Sequence, residues 1–150
     1  MSRVQLALNV SDLEAAIDFY GKLFDAEPAK VRPGYANFAI ADPPLKLVLI
    51  ENQEGGGTLN HLGVEVADTE TVAAATHRLA ATGLATRTEE STACCYAVQD
   101  KFCVFFNDSA TWEIYTVLGD APTMKSSDVA TDACCAPAAA TAKNEVPAGA

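Results

Sequence analysis

Apolar and polar positions follow the same order in two parts of the chain. The stretch from Gln5 to Glu14 matches the stretch from His61 to Glu70, 56 positions later. In both, the pattern of a β-strand runs directly into the pattern of an amphipathic helix. The chain is therefore predicted to contain two copies of one strand–helix unit.

Local signals place a helix after each of these strands. Ser11 and Glu14 form an S-x-x-E capping box, which is typical of a helix N-terminus. Asp68 is the predicted N-cap of the second helix, and Gly83 is predicted to end it. The predicted buried faces are Leu13, Ile17, Tyr20 and Phe24 in the first helix and Val72, Ala75 and Leu79 in the second.

Each helix is followed by a predicted short strand and a predicted hairpin. The short strands are 29–32 and 85–88, and the hairpins pair 35–42 with 45–50 and 101–108 with 111–116. Asp42 matches Asp108 at an offset of 66 instead of 56, so the second copy carries ten extra residues. This insertion lies between Glu89 and Asp100 and contains Cys94 and Cys95.

The order in each copy is β-α-β-β-β, which favours an α+β fold over a doubly wound sheet. Two modules, at about residues 3–52 and 58–118, are expected to form a curved mixed sheet around a metal-binding cleft. They make one domain, residues 1–118, with three glycines at 55–57 as the link. Residues 119–150 have no aromatic side chain, so a disordered, cysteine-containing tail is expected.

Charge and hydropathy restrict the partners. The 150 residues carry a formal net charge of -10, which argues against binding to nucleic acid. Neither a signal peptide nor a membrane-spanning segment is evident, so the expected location is the cytoplasm and no membrane partner is expected. The sequence leaves a monomer and a homodimer open.

The repeat resembles the vicinal oxygen chelate superfamily, which includes glyoxalase I, extradiol dioxygenases and bleomycin-resistance proteins. The resemblance covers residues 3–118. It implies a metal held by Gln5 and His61, at equivalent strand positions of the two modules, and by Glu113 in the last strand, with no further catalytic residue. Without the repeat, each of the three would more often be an ordinary polar or solvent-facing residue. Two-histidine, one-carboxylate sites in such dioxygenases leave open positions for substrate and O₂; here Gln5 replaces the first histidine.

The cysteines form a second candidate site. The chain has five of them, an odd number with two adjacent pairs, which is a poor disulfide framework. In a reducing compartment we expect mostly thiols. Cys94 and Cys95 are neighbours and could hold one soft, thiophilic centre such as trivalent arsenic or cadmium. Chance adjacency is the alternative, but insertions into a scaffold often carry function.

Three stretches resemble the ArsI family of bacterial C–As bond lyases: 92–101, which includes the cysteine pair, 4–10 and 32–40. The tail pair Cys134 and Cys135 also occurs in that family, as a secondary arsenic-binding pair or an idle one. The resemblance implies iron(II), replaceable by nickel or cobalt in a purified sample, and O₂ as co-substrate. It also implies a small-molecule substrate, a trivalent organoarsenical such as methylarsenite or an aromatic arsenical, cleaved to arsenite in detoxification.

Other functions remain open at this point. A resistance protein that binds cadmium or arsenicals without catalysis would need neither iron nor O₂. Another extradiol-type dioxygenase would not need Cys94 or Cys95. A glyoxalase would need a fourth metal ligand, and the position in the first module that matches Glu113 holds Leu47.

Overall fold

The computed structural model describes residues 2–105 and 111–124. It divides into a first unit, Arg3–Leu62, and a second unit that contains Ser2 and the described residues from Gly63 onward. The described elements are, in chain order, β1 (Arg3–Val10), α1 (Leu13–Phe24), β2 (Lys30–Arg32), β3 (Tyr35–Ile40), β4 (Leu45–Glu51), β5 (Leu59–Glu65), α2 (Thr69–Ala80), β6 (Ala85–Cys94), β7 (Ala97–Phe105) and β8 (Trp112–Asp120). Strand β5 begins in the first unit and ends in the second.

The first unit packs α1 against a mixed sheet. Its strands lie in the order β2-β3-β4-β1, with β1 parallel to β4 and the other pairs antiparallel. Leu13 of α1 is buried with apolar side chains of β3 and β4, among them Phe38 and Leu47. The predicted helix face is confirmed, because Ile17, Tyr20 and Phe24 pack against the same cluster. Leu47 is 1% exposed and belongs to this core.

The second unit repeats the arrangement with a longer hairpin. Strands β8, β7 and β6 are neighbours in that order, all antiparallel, and α2 packs against them. Val72 is the buried residue of the predicted face of α2. The α+β class and the two β-α-β-β-β modules are thus confirmed.

The observed N-cap is the predicted one in α2 and a different residue in α1. Asp68 caps α2 as predicted, and its pKa is held below the ordinary 3.8 by hydrogen bonds from the side chain and then the backbone of Thr71. In α1 the N-cap is Asp12 instead of Ser11, because Asp12 Oδ1 accepts from the backbone N–H of Ala15. The capping-box prediction at Ser11 and Glu14 was wrong by one residue.

The ten-residue insertion is regular structure. It lengthens β6 and β7, which were predicted at 85–88 and 101–108, into one hairpin that closes at Cys95 and Tyr96. Strand β8 runs to Asp120, and residues 125–150 with Cys134 and Cys135 lie outside the described residues. None of the described helices has the length and apolar character needed to span a membrane.

Candidate metal and thiol sites

Gln5 and His61 face each other in the first unit. Gln5 lies on β1 and His61 on β5, and their Nε2 atoms are 2.9 Å apart. Both side chains are buried, at 4% and 1% exposure. The two residues, which occupy equivalent positions in the repeat, are therefore in direct contact.

The other ring nitrogen of His61 has a fixed partner. Nδ1 lies 2.7 Å from Oδ1 of Asn60, an oxygen that can only accept. Nδ1 must therefore carry a proton, and in the neutral ring Nε2, which faces the amide nitrogen of Gln5, has the lone pair that a metal ion would use. A buried imidazole with this arrangement fits a metal ligand. Glutamine binds metal ions through its amide oxygen, so the Gln5 amide, which now presents nitrogen, would have to turn.

Glu113 lies in the second unit beside a buried lysine. Glu113 is 1% exposed, whereas the preceding Trp112 is 41% exposed, so the apolar and polar sides of β8 are inverted here. Nζ of Lys101, on β7, lies 3.2 Å from Oε1 of Glu113, and the two side chains are 0% and 2% exposed. Burial of a carboxylate needs such a partner, because an uncompensated charge is expensive to desolvate. Solvent exposure of Glu113 is thus excluded.

The described residues contain no group of three His, Cys, Asp or Glu side chains that could hold a metal ion. Of the predicted ligands Gln5, His61 and Glu113, only His61 and Glu113 are of these four residue types. Gln5 and His61 are brought together within the first unit, and Glu113 stands in the second.

Cys94 and Cys95 lie at the closed end of the β6–β7 hairpin. Their sulfurs are 3.4 Å apart, and both residues are buried. Cys95 and Tyr96 have φ values of 54° and 58°, the left-handed backbone that a two-residue hairpin turn needs but that side chains disfavour. Such strain concentrates at functional sites. The backbone of this turn is held by hydrogen bonds between Cys95 and Met124 and between Ala121 and Tyr96.

The expectation that the cysteines are mostly thiols holds for Cys95 and not for two others. Cys95 is a buried thiol, whereas Cys94 and Cys103 are disulfide-bonded in the structure. Soft-metal binding at Cys94 therefore requires that residue in its reduced form.

Two polar residues at these sites were not singled out by the sequence. Lys101 alternates with Cys103 along β7, and a lysine on the inner face of an apolar strand signals a buried acidic partner. The contact of Asn60 with His61 was not predicted, because an asparagine next to a histidine is common in sequences and indicates no particular contact. Only the pairing of strands reveals what each of them contacts.

Comparison with known proteins agrees with this architecture. The Glyoxalase/Bleomycin resistance protein/Dioxygenase superfamily matches residues 3–114. A "Trivalent organoarsenical cleaving enzyme" of Thermomonospora curvata is 61% identical over 138 residues, which are 91% of this chain and 90% of that protein. "Cadmium-induced protein CadI" of Mycobacterium tuberculosis (strain ATCC 25618 / H37Rv) is 64% identical over 126 residues, 84% of this chain and 83% of that one. The solved 2,3-dioxygenase LapB from Pseudomonas sp. KL28 shares the fold, with a TM-score of 0.60 at 18% identity over 79% of this chain and 42% of its own.

Proposed function

Because the chain belongs to the Glyoxalase/Bleomycin resistance protein/Dioxygenase superfamily, we propose that it is a non-heme iron(II) dioxygenase that cleaves the carbon–arsenic bond of trivalent organoarsenicals. The observation that carries the proposal is the pair of adjacent cysteine sulfurs, 3.4 Å apart at a buried turn. The organoarsenical cleaving enzyme to which the chain is 61% identical supports the same reaction.

The cysteine pair supplies the substrate site. Trivalent arsenic is soft and thiophilic, and two sulfurs at this separation can contact one arsenic atom together. Both must be thiolates, so Cys94 has to be reduced, and a reducing compartment such as the cytoplasm suits this chemistry. The two sulfurs bind the arsenic atom only, so the organic group stays accessible for the reaction.

Gln5, His61 and Glu113 are the proposed metal ligands. Their support is the contact between Gln5 and His61, the lone pair on Nε2 of His61, and the buried carboxylate of Glu113. These three residues would hold iron(II) and leave positions open for O₂, which the ion would activate when bound. Lys101 keeps one oxygen of Glu113 engaged and offsets its charge in the interior. Leu47 is in the hydrophobic core, so it cannot supply the fourth ligand of a glyoxalase-type site.

The proposed reaction consumes one O₂ for each arsenical. For methylarsenite, CH₃As(OH)₂ and O₂ balance to As(OH)₃ and formaldehyde, so the carbon is oxidised and O₂ is reduced. Arsenic leaves in the trivalent state as arsenite, which two thiolates hold until it is exchanged for water. Aromatic arsenicals have the same arsenic centre and are the second substrate class.

The experiment that tests the proposal is release of arsenite from methylarsenite by reduced protein loaded with iron(II), in air and under nitrogen. Arsenite in air and none under nitrogen is the expected result. Formaldehyde should appear with it in equal amount. No arsenite in either atmosphere, with iron bound, contradicts the proposal.

A second candidate is a protein that sequesters cadmium or arsenicals without chemistry. The cysteine pair and the relative named as cadmium-induced favour it. Sequestration needs no O₂, so tight binding of the arsenical without arsenite release in air would favour this candidate. The same assay therefore distinguishes the two functions.

A further inference from the structure

A chain of side-chain hydrogen bonds approaches His61 from the loop before β5. It begins at Thr58, whose hydroxyl donates to the carbonyl oxygen of Gly55. Nδ2 of Asn9, on β1, lies 2.9 Å from Oγ1 of Thr58. The backbone of Asn9 is held on both sides as well, by Gly57 N–H and by the carbonyl of Thr58.

The first steps of this chain have only one possible direction. The hydroxyl of Thr58 has a single proton, and a carbonyl oxygen can only accept it. Oγ1 of Thr58 must therefore accept from Asn9, which turns the amide nitrogen of Asn9 towards Thr58. The amide oxygen of Asn9 then points the other way, towards Asn60.

The same reasoning continues to the imidazole. Oδ1 of Asn9 accepts from Nδ2 of Asn60 at 2.9 Å, so Asn60 must turn its own oxygen towards His61. That oxygen lies 2.7 Å from Nδ1 of His61 and requires a proton there. Asn9 is 4% exposed and His61 1% exposed, whereas Asn60 between them is half-buried, so water has little access to Asn9 and to the imidazole.

We infer that Asn60 and Asn9 are positioning residues that place the proton of the His61 imidazole on Nδ1 and leave Nε2, which faces Gln5, to carry the lone pair. This inference rests on the proposed function only in giving that lone pair a metal to bind. Partners of this kind orient the histidine ligands of metal sites, and their loss lowers metal affinity about 10- to 100-fold. The tautomer is thus determined by Asn60 on β5, which is oriented by Asn9 on β1 and, through Asn9, by Thr58 in the preceding loop.

The test reads the tautomer directly in metal-free protein. The chain has two histidines, so long-range ¹H–¹⁵N spectra of the imidazoles contain one signal set each for His61 and His77. Spectra are taken near pH 8.5, about two units above the ordinary imidazole pKa of ~6.5. The wild-type protein should show His61 as the Nδ1–H form, with Nε2 unprotonated.

The variants separate the relay, the hydrogen-bonded series from Thr58 through Asn9 and Asn60 to His61, from a general effect of losing an asparagine. Asn60→Ala should convert His61 into a mixture of tautomers and weaken Ni(II) binding about 10- to 100-fold. Asn60→Asp keeps an acceptor at Nδ1 and should restore the Nδ1–H form. Asn37→Ala is the matched control, since this buried asparagine of the same unit bonds Tyr35 instead and should leave His61 unchanged.

Two outcomes overturn the inference: the Nε2–H form in the wild-type protein, or an unchanged tautomer in Asn60→Ala. Because these spectra need neither metal nor substrate, the result does not depend on the proposed reaction. A tautomer set by Asn60 in a protein that fails to bind iron would support the relay and contradict the metal site. Normal arsenite release by Asn60→Ala with an unchanged tautomer would support the proposed reaction and contradict the role of Asn60.

Discussion

Several polar residues of this protein lie at buried strand positions, where apolar side chains are usual. Gln5, His61 and Glu113 are each less than one-twentieth exposed, and Lys101 is fully buried. Each of them has a partner, because an unsatisfied polar group in the interior would cost stability. Polar groups kept inside at this cost are expected to serve chemistry.

The buried pair of Lys101 and Glu113 should be far more important for stability than an exposed pair. Lys101→Met leaves the carboxylate buried without its ammonium partner and should lower the free energy of unfolding by about 3–5 kcal/mol. Lys22→Met is the matched control, because Lys22 pairs with Asp18 at the surface, and its loss should cost only about 0.5 kcal/mol. Urea unfolding of metal-free protein measures both, and equal losses would contradict the interpretation.

The two sulfurs at the hairpin turn should act as one chelating site. Cys94→Ala and Cys95→Ala should each weaken binding of methylarsenite by reduced protein roughly 100-fold or more, because one sulfur–arsenic contact remains without its neighbour. Cys103→Ala, the control cysteine from β7, should bind normally. Isothermal titration measures all three, and full affinity in either single variant would argue against capture by the pair.

Elements determine where these residues stand. The insertion lengthens the β6–β7 hairpin and carries Cys94 and Cys95 to its closed end, where the 121–124 segment packs against the turn. A hairpin turn fixes both cysteines relative to the strands, whereas an irregular loop would leave them variable. The dithiol is therefore presented by a regular scaffold.

Helix α1 offers a test of the observed cap. Asp12→Ala should lower the free energy of unfolding by about 1 kcal/mol, because the backbone N–H of Ala15 loses its acceptor. Ser11→Ala should change it by less than about 0.5 kcal/mol. Chemical denaturation measures both variants, and a larger loss at Ser11 would restore the capping box that the sequence predicted.

At the scale of the whole molecule, binding of a metal ion by the proposed ligands is coupled to folding. Gln5 and His61 belong to the first unit and Glu113 to the second. An ion that binds all three only in the folded chain stabilises that state by mass action, by about 2.7 kcal/mol at a concentration 100 times Kd.

Ni(II) should therefore raise the Tm of the wild-type protein and leave the Tm of His61→Ala and Glu113→Gln nearly unchanged. His77→Ala is the control, because His77 is exposed on α2 and should keep the full shift. Differential scanning fluorimetry in the presence and absence of Ni(II) measures the effect. A normal shift in Glu113→Gln would place the bound ion on the first unit alone.

The sequence determined the repeated β-α-β-β-β order, because strand and helix periodicity are local properties that recur at a fixed offset. It also placed Gln5 and His61 at equivalent positions and located the cysteine pair in the insertion. It missed the cap by one residue at Asp12, and it did not predict the hairpin within the insertion or the disulfide state of Cys94. Only the tertiary structure decided that Lys101 meets Glu113 and that Asn9 and Asn60 set the proton of His61. The contacts of Lys101 with Glu113 and of Asn9 with Asn60 join residues distant in the chain. Which side chains meet depends on strand pairing and register, which no local pattern contains.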